Sequence, residues 1–234
     1  MVNVFLVPRW FYGYDIFFEL IFAIITLIVS YYSYKMYKLT NESQLRLFSI
    51  SFLFFSAYYF IQSFLNLGIL EQINNKAISM FNLMNINFFN TFGIFLQAIF
   101  FTIGLVTLLY MTLDLDSKKI YLLLLLITLP LLFFSSNGLL LFYLLASILL
   151  VFIALFYFKN YTEKKSINSL LVFIAFDFLL FGQIHFIFSV NHAIYYVIGH
   201  FLELTAYIMI LINLILISKN GQKKRKTANY PWYS

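Results

Sequence analysis

Hydrophobic residues fill most of the chain in long runs that short polar segments interrupt. Each run is close to the length of about 20 residues that a helix needs to cross a bilayer. The runs do not alternate between polar and apolar residues as a membrane barrel strand would, and "LLLFYLLASILLVFIALFYF" is one example. The pattern predicts an all-α membrane protein, a single bundle of seven transmembrane helices. Their predicted ranges are 16–34, 47–67, 86–111, 120–135, 139–157, 167–188 and 195–217.

Composition supports this class and excludes others. Hydrophobic residues make up 63% of the 234 residues and charged residues only 10%, whereas soluble domains carry about 25% charged residues. The absence of cysteine excludes a disulfide framework and a thiolate metal site. The boundary between the fourth and fifth predicted helices is the least distinct, because only "SSNG" separates them and Pro130 shortens the fourth.

Basic residues are distributed very unevenly between the two sides of the predicted bundle. All of them except Arg9 and Lys76 follow the first, third, fifth or seventh segment. The positive-inside rule therefore predicts an amino terminus outside the cell membrane, a cytoplasmic carboxyl terminus and a short basic cytoplasmic tail over 218–234. The net charge of +6 is then a signal of topology, and no nucleic-acid partner is expected.

Small and polar residues recur at helical spacing in the first three segments. Such stripes allow helix backbones to approach closely and to form hydrogen bonds within a bundle. The stripes comprise Glu19, Ala23, Thr26, Ser30 and Ser33; Ser49, Ser56, Ser63 and Asn66; and Asn90, Gly93, Gln97, Gly104 and Thr107. We expect them to face the interior. The aromatic residues Trp10, Phe11, Tyr12 and Tyr14 are instead expected to form an outer belt at the membrane interface.

All three histidines lie in one stretch, "GQIHFIFSVNHAIYYVIGHFLEL". With a rise of about 1.5 Å per residue, His185 and His200 lie at a depth similar to that of Glu19, and Glu203 lies one turn below His200. The sequence therefore predicts an outward-opening polar pocket lined by helices one, two, three, six and seven. His192 lies in the short turn "SVNHAI" and is expected to be a solvated loop residue.

Further candidates for ligand or proton binding are Asn90, Gln97 and Asp177. Asp177 lies in the middle of "VFIAFDFLLF", without another polar residue on its turn. A carboxyl group at this depth is costly. It is expected to be paired, neutral or part of a proton site.

His185, His200 and Glu203 could together bind zinc and leave a fourth position for water, although no H-E-x-x-H pair is present. Two imidazoles could also hold a haem. Retinal at the usual place is excluded, because 195–217 contains no lysine for a Schiff base. No glycine-rich phosphate loop is present.

The leading functional prediction is the sensing or binding of a small ligand or ion, relayed to a membrane or cytoplasmic partner protein. One alternative is a membrane-embedded metal-dependent hydrolase that uses His185, His200 and Glu203. A second is a proton-coupled transporter with Asp177 and Glu203 as carriers of charge, although the internal repeats common in transporters are not visible. Whether the protein is an enzyme is left open by the sequence.

Overall fold

The computed structural model describes the backbone of residues 8, 10–11, 13–74, 80–114, 117–133 and 138–229, and the side chains in these ranges except at 69–74, 80–91 and 219–229. Within the described residues the chain forms seven helices and no strand. The helices are α1 (Tyr14–Thr40), α2 (Ser43–Asn74), α3 (Met80–Thr112), α4 (Lys118–Leu131), α5 (Gly138–Lys164), α6 (Ile167–Phe188) and α7 (Ile194–Asn229). The predicted all-helical class and the seven predicted helices are confirmed.

Six of the seven helices are long and apolar enough to cross a membrane, and α4 is the exception among the described residues. Its 14 residues extend only about 21 Å at the helical rise, which is less than the hydrocarbon thickness of about 30 Å. Pro130 lies in its last turn. Proline has no backbone N–H to donate to the helix, and its ring clashes with the carbonyl group four residues earlier. The predicted end at Ser135 was therefore too late.

The last helix is longer than predicted. α7 has 36 residues and would extend about 54 Å, although the apolar part that could span a membrane ends at Ser218. The predicted basic tail thus begins as a continuation of the helix up to Asn229, whereas 230–234 lie outside the described residues.

Six helices pack as a closed ring. In order of contact the ring runs α1, α2, α3, α5, α6, α7 and back to α1, while α4 packs on the outside of α3. Large apolar side chains on the outer surface, such as Leu122, Leu126 and Phe152, are more than half exposed. Such a surface is suited to contact with a lipid bilayer, and the fold is consistent with an integral membrane protein.

The small and polar stripes of α1 and α2 meet face to face. Ser30 Oγ donates to the carbonyl oxygen of Ser49 and Ser49 Oγ to that of Ser30, both at 2.8 Å. About two turns away, Ser56 Oγ donates to the carbonyl oxygen of Ala23 at 2.9 Å. These reciprocal bonds lock the register of the two helices, and the predicted inward orientation of both stripes is confirmed.

The turn that precedes α1 differs from its prediction. Trp10 and Tyr14 are 63% and 62% exposed, as an interfacial belt requires, but Phe11 is only 2% exposed. Its ring lies 5.8 Å from His200 and 6.3 Å from Tyr196 of α7. Phe11 therefore closes one end of the helix ring. We call this the N-terminal end, and the end with the α1–α2 turn the opposite end.

Candidate functional site

Two glutamates lie inside the ring near its N-terminal end. Glu19 of α1 is 0% exposed and Glu203 of α7 is 2% exposed. Each carboxyl accepts a hydrogen bond from a side-chain amide, Glu19 from Asn66 of α2 at 2.7 Å and Glu203 from Gln183 of α6 at 2.8 Å. The predicted outward-opening pocket is thus a closed site, because these side chains do not reach the surface.

The two carboxyls belong to one cluster. Phe22, about one turn after Glu19 on α1, packs against the ring of Tyr207, about one turn after Glu203 on α7. The two carboxyls therefore lie at the same level of two adjoining helices, and Gln62 lies one turn before Asn66 on α2. We call Glu19, Gln62, Asn66, Gln183 and Glu203 the acidic cluster. It connects α1, α2, α6 and α7, so that any change in its charge acts on four helices of the ring.

A pair of tyrosines extends the acidic cluster along α7. The Tyr59 hydroxyl forms a 2.8 Å hydrogen bond with the hydroxyl of Tyr207, which lies one turn after Glu203 on α7. Both side chains are buried, and their rings lie 5.0 Å and 5.7 Å from the ring of Phe22. Buried aromatic rings therefore lie one turn away from the carboxyls on α1 and α7, and aromatic faces favour cations.

The histidines do not converge as predicted. His200 is buried at the N-terminal end, and its ring contacts five aromatic rings at centroid distances between 4.4 and 6.2 Å, those of Phe11, Phe18, Phe22, Phe186 and Tyr196. Its Nδ1 donates to the carbonyl oxygen of Tyr196 at 3.0 Å, since a carbonyl can only accept. His200 is thus packed chiefly as an aromatic residue of the core.

His185 and His192 lie together at the α6–α7 turn, beside Tyr195. Their rings are 5.7 and 6.1 Å from the Tyr195 ring. His185 Nδ1 donates to the carbonyl oxygen of Phe181 at 2.7 Å, and His192 is exposed as predicted. Within the described residues no group of three or more His, Asp or Glu side chains is placed to hold a metal ion. The set of His185, His200 and Glu203 is therefore not assembled.

The remaining candidates are dispersed. Asp177 is partly exposed on α6, and no hydrogen bond or ion pair to its carboxyl occurs among the described side chains. Asn90 belongs to α3, but its side chain lies outside the described residues. Gln97 of α3 lies level with Gln62, because α2 and α3 are antiparallel and Gly93 of α3 faces Leu65. Gln97 thus adjoins the acidic cluster, and Asp177 does not.

Several buried polar side-chain atoms in the N-terminal half have no hydrogen-bond partner among the described residues. Besides the Ser63 hydroxyl, they include four acceptor oxygens. They are Glu19 Oε2, Gln62 Oε1, Gln97 Oε1 and Gln183 Oε1. Unmet buried acceptors cost about 1–3 kcal/mol each. The only salt bridge in the described part of the chain joins Lys159 and Glu163 on the surface, so no basic side chain there neutralises the acidic cluster.

Sequence reasoning missed Gln62, Gln183, Tyr59 and Tyr207. Gln183 stands four residues after Leu179 and three before Phe186, so the helical period of α6 places it on the same face as these two buried residues. It also stands two residues before His185. The tyrosines gave no such signal, because the chain contains 18 of them and most fit an interfacial belt equally well.

Compared with known protein families, with characterised proteins and with solved structures, the chain shows no significant match.

Proposed function

We propose that the protein is an integral membrane protein that binds a small monovalent cation, a metal ion or a proton, at the acidic cluster. The supporting observation is the pair of buried carboxyls, Glu19 and Glu203, with no basic partner among the described side chains. Two negative charges buried together without a counter-charge are strongly unfavourable. A bound cation between the carboxyls, or a proton on one of them, removes this repulsion.

The surroundings favour a cation over other ligands. The unpartnered oxygens of Glu19, Gln62 and Gln183 are hard ligands of the kind that alkali and alkaline-earth ions prefer. An anion would be repelled by the carboxyls. A large organic cation is disfavoured because Glu19, Gln183 and Glu203 are at most 2% exposed.

Binding at this place suits a sensor. Because the acidic cluster joins α1, α2, α6 and α7, its occupation changes the packing of these helices together, and that change can pass along α7 to a partner at the opposite end. A ligand shifts such an equilibrium only by its differential affinity for the two states. The sensing role thus requires that the cation bind one helix arrangement more tightly than another.

A cation carrier is the second candidate, and the Tyr59–Tyr207 pair favours it. This pair places hydroxyls one turn beyond Glu203 toward the opposite end, which is the direction that a transported ion would follow. Asp177, the other carrier predicted from the sequence, lies away from this path. Ion uptake into proteoliposomes separates the candidates, because a carrier transports the cation and a sensor only binds it.

The proposal is tested by thermal unfolding of the protein in lipid nanodiscs across a series of sodium, potassium and proton concentrations at constant ionic strength. A bound cation stabilises the folded state by mass action, by about 2.7 kcal/mol at one hundred times its Kd. We expect a saturable rise in Tm for the wild type and its loss in Glu203→Gln. Glu163→Gln is the matched control, because Glu163 is exposed and paired only with Lys159. Equal responses in both variants would refute the proposal.

A further inference from the structure

A cavity of about 180 Å³ lies at the opposite end of the bundle, well separated from the acidic cluster. It is bounded by the start of α2, the end of α3 and the facing parts of α5, α6 and α7. Its walls are mostly apolar, and Phe48, Met111, Tyr157 and Val172 are among the lining residues. An apolar cavity of about 150 Å³ is large enough for benzene, so this one has room for a single ring with a small substituent.

Two of the walls are held in place by stacked aromatic rings. The Phe48 ring stacks on that of Phe52 at 4.6 Å, and the Tyr157 ring stacks on that of Phe176 at 4.7 Å with an angle of 5° between the planes. Since Phe52 and Phe176 are completely buried, the cavity is preformed. A ligand would not have to order these side chains when it binds.

One buried polar group faces this mostly apolar cavity. Asn213 of α7 lines the cavity and is 4% exposed, and its Oδ1 has no hydrogen-bond partner within the part of the chain that the structure describes. A buried carbonyl oxygen beside a cavity is the kind of convergent polar group that orients ligands in otherwise apolar pockets. The group that it requires is a hydrogen-bond donor.

The rim of the cavity is polar. Glu42 and Gln44, both exposed residues near the α1–α2 turn, line this rim. Gln44 Nε2 donates to Asp114 Oδ1 at 3.1 Å, which fixes the start of α2 to the chain beyond α3. Among the described residues that line the cavity, Glu42 is the charged one, and its carboxylate at the rim can accept a hydrogen bond from a donor group of a ligand.

From these features we infer that the cavity is a second binding site, for a small amphiphilic amine whose apolar ring packs between Phe48 and Tyr157 and whose ammonium group donates to Asn213 Oδ1. No residue of the acidic cluster lines the cavity, and Tyr207 lies between Glu203 and the cavity along α7. The second site would give the protein a ligand site at the end where a partner protein is expected to bind.

The test is fluorine NMR of para-fluorobenzylamine with the full-length protein in nanodiscs, with empty nanodiscs to subtract partition into lipid. We expect saturable binding that is about five- to tenfold tighter than that of para-fluorotoluene, which lacks the donor. Asn213→Leu should abolish this difference between the probes. It should fold normally, because it removes an oxygen that has no partner. Val172→Phe, which fills the cavity, should weaken the binding of both probes.

Glu203→Gln is the comparison variant, since Glu203 belongs to the acidic cluster and does not line the cavity. Benzylamine binding that is lost in Glu203→Gln and kept in Asn213→Leu would place the amine at the acidic cluster and overturn the inference, while leaving the proposed cation site intact. The absence of saturable binding, or equal affinities for the two probes in the wild type, would also overturn it.

Discussion

Replacement of Gly199 by alanine should destabilise the α6–α7 contact, because the Phe186 ring of α6 packs directly against this residue. A Cβ atom added to Gly199 would lie 2.6 Å from Cε1 and 2.9 Å from both Cδ1 and Cζ of Phe186. The Phe186 ring cannot easily move away, since it is buried against the rings of Tyr143, Tyr196 and His200 at 5.2–5.5 Å.

The magnitude follows from two opposed effects. Overpacking of a filled core costs about 1–3 kcal/mol, and the higher helix propensity of alanine returns about 1 kcal/mol. Gly68→Ala supplies the control, because nothing lies within 4 Å of a Cβ atom added there and only the favourable propensity effect operates. Gly199→Ala should therefore be less stable than Gly68→Ala by about 1–3 kcal/mol.

Thermal unfolding in nanodiscs measures this difference as a Tm about 2–12 °C lower for Gly199→Ala, at about 2–4 °C per kcal/mol for a chain of this size. The added substitution Phe186→Leu should restore part of the loss, since it makes room for the new methyl group. Equal stability of the two alanine variants would show that α6 and α7 are not in contact at Gly199.

Three further outcomes are expected. Tyr59→Phe and Tyr207→Phe should each lower the free energy of unfolding by about 0.5–1.5 kcal/mol. The double variant should lose less than the sum of the two, because both substitutions remove the same hydrogen bond. Additive losses in Tm would argue against the Tyr59–Tyr207 bond. Asp177→Asn should change the stability by less than about 0.5 kcal/mol, whereas a loss of several kcal/mol would reveal a buried ion pair. In this cysteine-free chain, a cysteine that replaces Ser79 should react with an impermeant label applied outside cells, and one that replaces Ser166 should not. The reverse pattern would show that the topology is opposite to the one predicted from the basic residues.

The helices were predictable because their apolar runs carry a strong signal that does not depend on tertiary contacts. The inward stripe of α1 was predictable for a similar reason, since small residues such as Ala23 and Ser30 at helical spacing are typical of close helix packing. Depth along each helix also placed Glu19 and Glu203 at related levels. These features depend only on local periodicity and on the helical rise.

Rotation about each helix axis was the part that the sequence could not supply. His185 and His200 have similar depth, but His185 lies beside Tyr195 at the turn and His200 packs against Phe11 and Phe22. The burial of Phe11 depends on how the turn before α1 folds over the end of the helix ring. The short α4 was only partly foreseen, because the effect of Pro130 on helix length depends on the residues that follow.

The acidic cluster as a cation site is tested most directly by calorimetric titration of the protein in nanodiscs with sodium chloride and, separately, with acid, each in two buffers of different ionisation enthalpy. This experiment counts both the sodium ions bound and the protons exchanged per chain. The account predicts a saturable uptake of sodium or protons by the wild type and by Glu163→Gln, and its loss when Glu19→Gln and Glu203→Gln are combined. Unchanged uptake in that double variant would contradict it.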